Sequence, residues 1–158
     1  MKSAIWIVDF GSQYTQLITR KFRELGYTSE IITVEDGIER LKSHKPKAIV
    51  LSGGPQSVFE DNTDYGPFLA DKSIPVLGIC YGMQILSQFF GGIVEQGVQG
   101  EYGLAKIHCA KGFSIAGLPA ESDVWMSHSD HVSTLPKDFK LIFESENGLV
   151  AGIKHDTR

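Results

Sequence analysis

Cysteine is scarce in this sequence, and clustered charges and long apolar runs are missing. Cys80 and Cys109 are the only cysteines, so there is neither a disulfide framework nor the ligand spacing of a metal site. Lys and Arg total 15 against 19 Asp and Glu, and no basic cluster occurs, which argues against a nucleic-acid-binding face. No apolar run approaches the roughly 20 residues of a membrane-spanning helix. We therefore expect a cytoplasmic protein without a bound metal.

The composition is that of an ordinary globular protein. Hydrophobic residues make up 42% and charged residues 22% of the 158 residues, which is enough for one domain with a substantial core. We find no internal repeat, low-complexity tract or linker, and we treat residues 1–158 as a single domain.

Apolar runs alternate with amphipathic segments in the first half of the chain. The runs predict strands at residues 4–8, 30–34, 48–51 and 74–79. The segments predict helices at residues 14–25, 36–43 and 81 onwards, with a loop and a short helix within 59–72. The first of these helices would pack through Leu17, Ile18, Phe22 and Leu25. This alternation predicts an α/β fold with a mostly parallel, doubly wound sheet and helices on both faces.

A different pattern follows Gly92, where the segments become short and often alternate between apolar and polar residues. Such segments, separated by turn residues, predict a small antiparallel sheet. Its strands would lie at residues 93–95, 104–109, 123–126, 140–144 and 149–153.

The most informative stretch is Gly78-Ile79-Cys80-Tyr81-Gly82, between a predicted strand and a predicted helix. A sharp strand-to-helix turn needs glycines because a Cβ would obstruct the close approach of the two backbones. A cysteine there sits at a helix N-terminus, whose positive dipole end favours the nucleophilic thiolate. Although most free cysteines are buried core residues, this setting favours Cys80 as a nucleophile. Cys109 has no such turn around it and should be inert.

A second turn, Ser52-Gly53-Gly54-Pro55, follows the third predicted strand. Because ligands of parallel sheets bind at the carboxyl ends of the strands, this turn, Asp9 and Cys80 should share one edge. Its N–H groups could stabilise an oxyanion together with the Tyr81 N–H. The turn also resembles a pyrophosphate-binding loop, but Pro55 has no N–H to offer a phosphate, so we disfavour that alternative.

A cysteine nucleophile usually needs a histidine base. His128 and His131 bracket a polar segment suited to lining a pocket, whereas His44 is expected in a solvated connection and His108 in a strand. His155 lies beside Asp156 in a polar turn. The sequence alone does not select among these histidines.

These motifs together resemble the class I (triad) glutamine amidotransferases. Residues 78–84 are similar to the nucleophile motif of that family and residues 52–55 to its oxyanion loop. Residues 9–18 and 125–132 are similar to the branch of the family that serves GMP synthesis. The resemblance runs over essentially the whole chain.

The resemblance implies hydrolysis of L-glutamine through a thioester on Cys80, with oxyanion stabilisation by Gly54 and Tyr81. It implies glutamine binding by Gly53, Gln84, Ser127, His128, Ser129 and Asp130. The ammonia would pass to an ATP pyrophosphatase domain or subunit that aminates adenylated XMP. ATP and Mg²⁺ would act in that partner, and this domain would need no cofactor.

The family's His-Pro-Glu motif, which supplies the triad histidine and glutamate, is missing before Arg158. We therefore expect the sequence to be C-terminally incomplete and almost inactive by itself. His155 and Asp156 are a poor substitute, since they lie one strand too early. Two alternatives stay open: a non-catalytic glutamine-binding or regulatory module, and a related peptidase-like cysteine hydrolase.

Overall fold

A computed structural model describes residues 4–98 and 100–158. The chain forms two compact units that divide between Phe89 and Phe90. The first contains β1 (Ile5–Val8), α1 (Thr15–Glu24), β2 (Ser29–Ile32), α2 (Val34–Leu41), β3 (Ala48–Leu51), α3 (Gly66–Leu69), β4 (Val76–Gly78) and α4 (Tyr81–Phe89). The second contains β5 (Ile93–Glu95), β6 (Glu101–Cys109), β7 (Glu121–His128), β8 (His131–Thr134), β9 (Phe139–Ser145) and β10 (Val150–His155). None of the helices described is long and apolar enough to cross a membrane.

The first unit is built on a four-stranded parallel sheet in the order β2-β1-β3-β4. The chain steps from β1 to β2 in one direction and then returns past β1 to β3. Because crossovers between parallel strands are right-handed, this reversal puts α1 on one face and α2 and α3 on the other. The predicted doubly wound sheet is confirmed. The order reverses between β1 and β3, which is where such sheets bind their ligands.

The core of this unit differs from the prediction along α1. Ile18 and Phe22 pack against the buried Ile5, Ile7 and Val50, as the apolar pattern indicates. Leu17 and Leu25, predicted on the same face, are instead 40% and 72% exposed.

Two threonines occupy the buried face of α1 in place of those leucines. The Thr15 hydroxyl donates to Asp9 at 2.9 Å, and the Ser29 hydroxyl donates to the Thr19 carbonyl at 2.9 Å. The Thr19 hydroxyl donates to the Thr15 carbonyl at 2.9 Å, so the buried hydroxyls of both threonines are hydrogen-bonded. The expectation for Leu17 and Leu25 was therefore wrong.

The second unit contains two antiparallel sheets where one was predicted. Strands β10-β9-β6-β7 form a four-stranded sheet, and β5 pairs with β8 in a separate two-stranded sheet. Strand β8 was not predicted, because only Val132 among its residues is both apolar and buried. Strand β5 was predicted at its observed bounds, and β10 starts one residue later and ends two residues later than predicted. Strands β6, β7 and β9 extend further than predicted, as at β7, which starts at Glu121 rather than Asp123.

Candidate active site

Cys80 lies in the sharp turn between β4 and α4. Its φ is +53°, a left-handed conformation that non-glycine residues adopt only under strain. The flanking glycines are required by space: a Cβ on Gly78 would be 2.6 Å from the Gly82 carbonyl oxygen, and one on Gly82 would be 2.1 Å from the Leu51 carbonyl oxygen. The predicted strand–nucleophile–helix turn is therefore present, with a backbone geometry that exposes one side chain at the end of the sheet.

The turn after β3 lies beside the nucleophile. A Cβ built on Gly53 would be 3.5 Å from the Cys80 Cβ, so the two backbones are neighbours. The Gly82 N–H donates to the Ser52 carbonyl at 3.1 Å, which ties the start of α4 to this turn. A Cβ on Gly54 would be 2.4 Å from the Phe10 carbonyl oxygen, so no side chain fits there. Gly53, Gly54, Cys80 and Tyr81 are thus brought together at one edge of the sheet.

The thiol of Cys80 is less acidic than its position at a helix start suggests. Burial raises its pKa, and the hydrogen bond from the Tyr81 N–H offsets only part of that effect. Loss of water around the sulfur therefore opposes the stabilisation of the thiolate that the start of a helix provides. Cys80 consequently needs a proton acceptor before it can attack.

Asp9 and Ser12 complete the polar edge at the end of β1. The Asp9 carboxylate accepts from the Gly11 N–H at 3.0 Å and from the Thr15 hydroxyl at 2.9 Å, so it holds the turn into α1. The Ser12 hydroxyl would be 3.8 Å from a Cβ on Gly53. Asp9 was predicted at this edge, whereas Ser12 was not singled out.

Gln84 lies in the first turn of α4 and is 5% exposed. Its backbone N–H donates to the Cys80 carbonyl at 3.1 Å, which places it one helical turn after the nucleophile. Its assignment as a glutamine contact stays a prediction.

Residues 127–130 belong to the second unit, at the end of β7 and the turn that follows. Both ring nitrogens of His128 have partners: Nε2 is 3.0 Å from the Glu101 carboxylate, and Nδ1 is 2.9 Å from the Asp130 carbonyl oxygen. Ser127 and Ser129 are exposed, and Asp130 is buried. The assignment of these four residues to glutamine binding also stays a prediction.

Glu101 is the buried centre of a polar network in this unit. Its other carboxylate oxygen accepts from Ser145 at 2.7 Å and from Asn147 at 2.9 Å. Burial raises the pKa of Glu101, but these hydrogen bonds and the one from His128 outweigh it and lower the pKa overall. Sequence reasoning did not single out Glu101, because its partners come from distant strands.

The first unit offers no histidine to Cys80. Its one histidine, His44, lies in the connection between α2 and β3, at the amino ends of the strands and therefore opposite the nucleophile. His108 is exposed on β6, and the His155 ring packs edge-on against Phe139 at 4.9 Å. His131 begins β8, and its buried Nδ1 has no hydrogen-bond partner.

A cavity of about 250 Å³ in the first unit was not foreseen from the sequence. It is lined by Val58, Asp61, Thr63, Asp64, Tyr65, Tyr81, Ile85, Gln88 and Phe89. Asp61 and Tyr65 belong to no recognisable motif, so only the folded chain brings them next to Tyr81. Within residues 4–98 and 100–158, no three His, Cys, Asp or Glu side chains gather as a metal site would require.

The sequence matches the family described as glutamine amidotransferase class-I over residues 6–158. The chain therefore belongs to the class-I glutamine amidotransferases. This agrees with the resemblance carried by the motifs around Cys80 and Gly53.

More particularly, this chain is similar to GMP synthases. The glutamine-hydrolysing GMP synthase of Staphylococcus aureus (strain JH9) is 48% identical to it over 98% of this chain and 30% of that protein. The enzyme of the same name from Thermosipho africanus (strain TCF52B) is 46% identical over 97% of this chain and 30% of that protein. This chain thus spans under a third of the length of these curated relatives.

Among solved structures, a GMP synthase subunit from Thermoplasma acidophilum aligns with a TM-score of 0.86 at 33% identity. The alignment covers 100% of this chain and 80% of that one. The α/β fold with parallel and antiparallel sheets is therefore shared with this relative.

Proposed function

We propose that this chain is the glutamine-hydrolysing domain of a GMP synthase. The observation that carries the proposal is Cys80, held at φ +53° in a strand-to-helix turn with the Gly53 backbone against it. A structural cysteine needs neither the strained turn nor an adjacent glycine-rich loop. The names of the relatives support the choice of glutamine as substrate.

In the proposed reaction, the Cys80 sulfur bonds to the side-chain amide carbon of L-glutamine. The carbonyl oxygen becomes an oxyanion, which the N–H groups of Gly54 and Tyr81 stabilise. The carbon–nitrogen bond then breaks, and the nitrogen takes up the proton that the thiol has lost and leaves as ammonia. Water attacks the resulting thioester to give glutamate and the free thiol. Gly53 and Gln84 would hold the substrate in the first unit, and the assignment of residues 127–130 to glutamine binding stays a prediction from the resemblance.

The weak acidity of the Cys80 thiol limits the turnover of this chain. Its pKa is raised by burial, and His44, the one histidine of the first unit, lies at the opposite edge of the sheet. Family members supply a His-Pro-Glu strand that this sequence does not contain. We expect glutaminase turnover of this chain to be lower by several orders of magnitude than that of a version extended through such a strand.

The ammonia would be consumed outside this domain. In the proposed pathway it passes to an ATP pyrophosphatase domain or subunit, which uses ATP and Mg²⁺ to adenylate XMP and then aminates it to GMP. The greater length of the curated relatives, of which this chain spans 30%, leaves room for such a domain. No cofactor is proposed for the amidotransferase domain, and the cytoplasm is its proposed location.

Selective labelling of the two thiols tests the glutamine site. In a Cys109→Ala background, Cys80 should react with a glutamine-mimicking chloroketone, and added L-glutamine should slow the reaction while L-asparagine should not. In the matched Cys80→Ala variant, Cys109 should react slowly and without protection. Intact-protein mass spectrometry gives both rates. Labelling of Cys80 that L-glutamine does not slow would contradict the proposal and favour the peptidase-like alternative.

The non-catalytic glutamine-binding module is the second candidate, because the one histidine of the first unit lies at the opposite edge of the sheet from Cys80. Glutaminase assays on this chain and on a version extended with a His-Pro-Glu strand separate the two functions. The enzyme predicts a large gain in turnover on extension. A glutamine-protected Cys80 with no gain in turnover would identify a binding module instead.

A further inference from the structure

The side chain of Tyr81 has an anchor of its own. Tyr81 follows the nucleophile directly and is 1% exposed. Its hydroxyl donates to one carboxylate oxygen of Asp61, and the Tyr65 hydroxyl donates to the same oxygen. The other oxygen of Asp61 accepts from the Thr63 N–H at 2.8 Å. A loop residue, 20 positions before Tyr81, therefore fixes the far end of its side chain.

The ionisation states of Asp61 and Tyr81 strengthen the hydrogen bond between them. Burial raises the pKa of Asp61, but hydrogen bonds from Thr63, Tyr65 and Tyr81 outweigh it and hold the pKa well below its usual range. Burial and the hydrogen bond to Asp61 raise the pKa of Tyr81. The pair is thus a neutral phenol donating to an ionised carboxylate, which is a charge-assisted hydrogen bond.

Phe10 connects the same cluster to the oxyanion loop. Its ring lies edge-on to Tyr81 at 5.3 Å and to Tyr65 at 5.5 Å, both with an interplanar angle of 85°. Its backbone lies against Gly54, where a Cβ would be 2.4 Å from the Phe10 carbonyl oxygen and 2.8 Å from the Phe10 Cβ. Gly54 and Tyr81, which carry the two proposed oxyanion donors, are therefore both packed against Phe10.

Packing and a directed hydrogen bond together hold the Tyr81 side chain in place. The side chain helps to line the cavity of about 250 Å³ beside Asp61 and Tyr65, but it is almost completely covered by protein. A buried phenol needs a hydrogen-bond partner, because leaving it unpaired is costly. The hydrogen bond to Asp61 supplies that partner and fixes the direction of the hydroxyl.

We propose that Asp61 is a positioning residue for the oxyanion hole, acting through the Tyr81 hydroxyl on the Tyr81 N–H beside Cys80. This inference rests on the proposed glutaminase function. Asp61 touches neither the substrate nor the sulfur. Its role is to keep a backbone donor aimed at the place where negative charge develops, where small displacements are costly.

Two thiol reagents separate positioning from general damage. As the Cys80 sulfur adds to a glutamine-mimicking chloroketone, the carbonyl oxygen becomes an oxyanion, and a thioether then forms with loss of chloride. Iodoacetamide alkylates the same sulfur by direct displacement of iodide and forms no oxyanion. The ratio of the two rates therefore reports the oxyanion hole, whereas a change in thiol exposure or acidity moves both rates together.

The variants are made in the full chain with Cys109→Ala. Asp61→Ala should slow the chloroketone about tenfold, less than the 10²–10³ typical of deleting an oxyanion donor, because the donor is displaced rather than lost. Iodoacetamide rates should stay within about twofold. Asp61→Asn, which keeps an acceptor without the charge, should recover part of the loss. The matched control is Asp64→Asn, since Asp64 lines the same cavity but accepts from the Gly66 N–H at 2.8 Å; both rates should be unchanged.

Tyr81→Phe provides an independent route if Asp61→Ala does not fold. It removes the donor hydroxyl and should lower the rate ratio as Asp61→Ala does, and combining Tyr81→Phe with Asp61→Asn should add little. Parallel falls in both rates, an unchanged ratio, or fully additive effects would overturn the positioning role. If L-glutamine does not slow the chloroketone reaction of the wild type, the glutaminase function on which this inference rests would instead be overturned.

Discussion

The two units of this chain use buried polar groups in different ways. In the first, backbone groups at the ends of β3 and β4 surround Cys80, and the nearby side chains support them from behind. In the second, the buried carboxylate of Glu101 accepts hydrogen bonds from His128, Ser145 and Asn147. The comparison indicates that backbone groups of the first unit are arranged around a candidate ligand site. In the second unit, the hydrogen bonds of Glu101 join strands to one another.

The strands of the two units also differ in how far their side chains are buried. All four residues of β1 are buried, as expected for a parallel sheet covered on both faces. Strand β7 alternates between exposed and partly buried residues, and Trp125 in its middle is 67% exposed. Substitutions in the first unit should therefore be limited by space, and substitutions in the second by hydrogen bonding.

The largest effect should follow Gly82→Ala in the first unit. The added Cβ would lie 2.1 Å from the Leu51 carbonyl oxygen, and neither backbone can move without breaking the turn at Cys80. We expect a loss of more than about 3 kcal/mol in the free energy of unfolding. Urea unfolding followed by fluorescence of the buried Trp6, in a Trp125→Phe background, measures it.

Gly26→Ala is the control for the conformational part of that loss. Gly26 has φ +85° but open space around its Cβ position, so the cost should be about 1 kcal/mol. Equal losses in the two variants would contradict the claim that space limits this unit.

Glu101→Ala should produce the largest effect in the second unit. It leaves three buried or partly buried donors without their acceptor, which should lower the free energy of unfolding by about 3 kcal/mol. Urea titration followed by the NMR signals of β6 and β7 gives the change. The control is Glu121→Ala on the exposed face of β7, which should change the free energy of unfolding by no more than about 0.5 kcal/mol. A loss there as large as that of Glu101→Ala would contradict the structural role assigned to the Glu101 hydrogen bonds.

A smaller, pH-dependent effect should distinguish Asp61. Its folded pKa is depressed, so its stabilising contribution is complete above the unfolded pKa of about 4 and is lost as the pH falls below it. The difference in unfolding free energy between the wild type and Asp61→Asn should therefore narrow between about pH 5 and about pH 2. A constant difference over that range would show that folding does not lower the pKa of Asp61.

The smallest effect should come from an exposed ion pair in the second unit. Lys106 Nζ is 3.4 Å from Asp123 Oδ1, with side chains 50% and 61% exposed. Water screens such pairs, so a double-mutant cycle with Lys106→Ala and Asp123→Ala should give a coupling below about 0.5 kcal/mol. A coupling above about 1 kcal/mol would mean that surface charge also organises this unit.

Much of the first unit was predictable because its signals are local. Apolar runs gave β1 and β3 nearly to the residue, and the glycines around Cys80 predicted its turn. What depends on distant partners was missed: Thr15 and Thr19, rather than Leu17 and Leu25, occupy the buried face of α1. The acidity of Cys80 also depends on burial that only the folded chain creates.

The second unit was predicted less well for the same reason. Strand β8 has few apolar residues and gains its structure by pairing with β5. Glu101 has no flanking motif, and its partners lie 27 to 46 positions away. The roles of Gln84 and of residues 127–130 remain predictions from the resemblance alone.

Strand β4, which leads into Cys80, pairs with β3 alone in the part of the chain that the structure describes. The Ile79 N–H donates to the Leu51 carbonyl at 2.9 Å, so the amide protons of Val76 and Gly78 point to the other, open side. In hydrogen–deuterium exchange, those two amides should lose their protons far sooner than that of Ile79. The nucleophile thus follows an edge strand of the described sheet, and hydrogen bonds on both sides of its turn, from Ile79 to Leu51 and from Gly82 to Ser52, hold it against the end of β3.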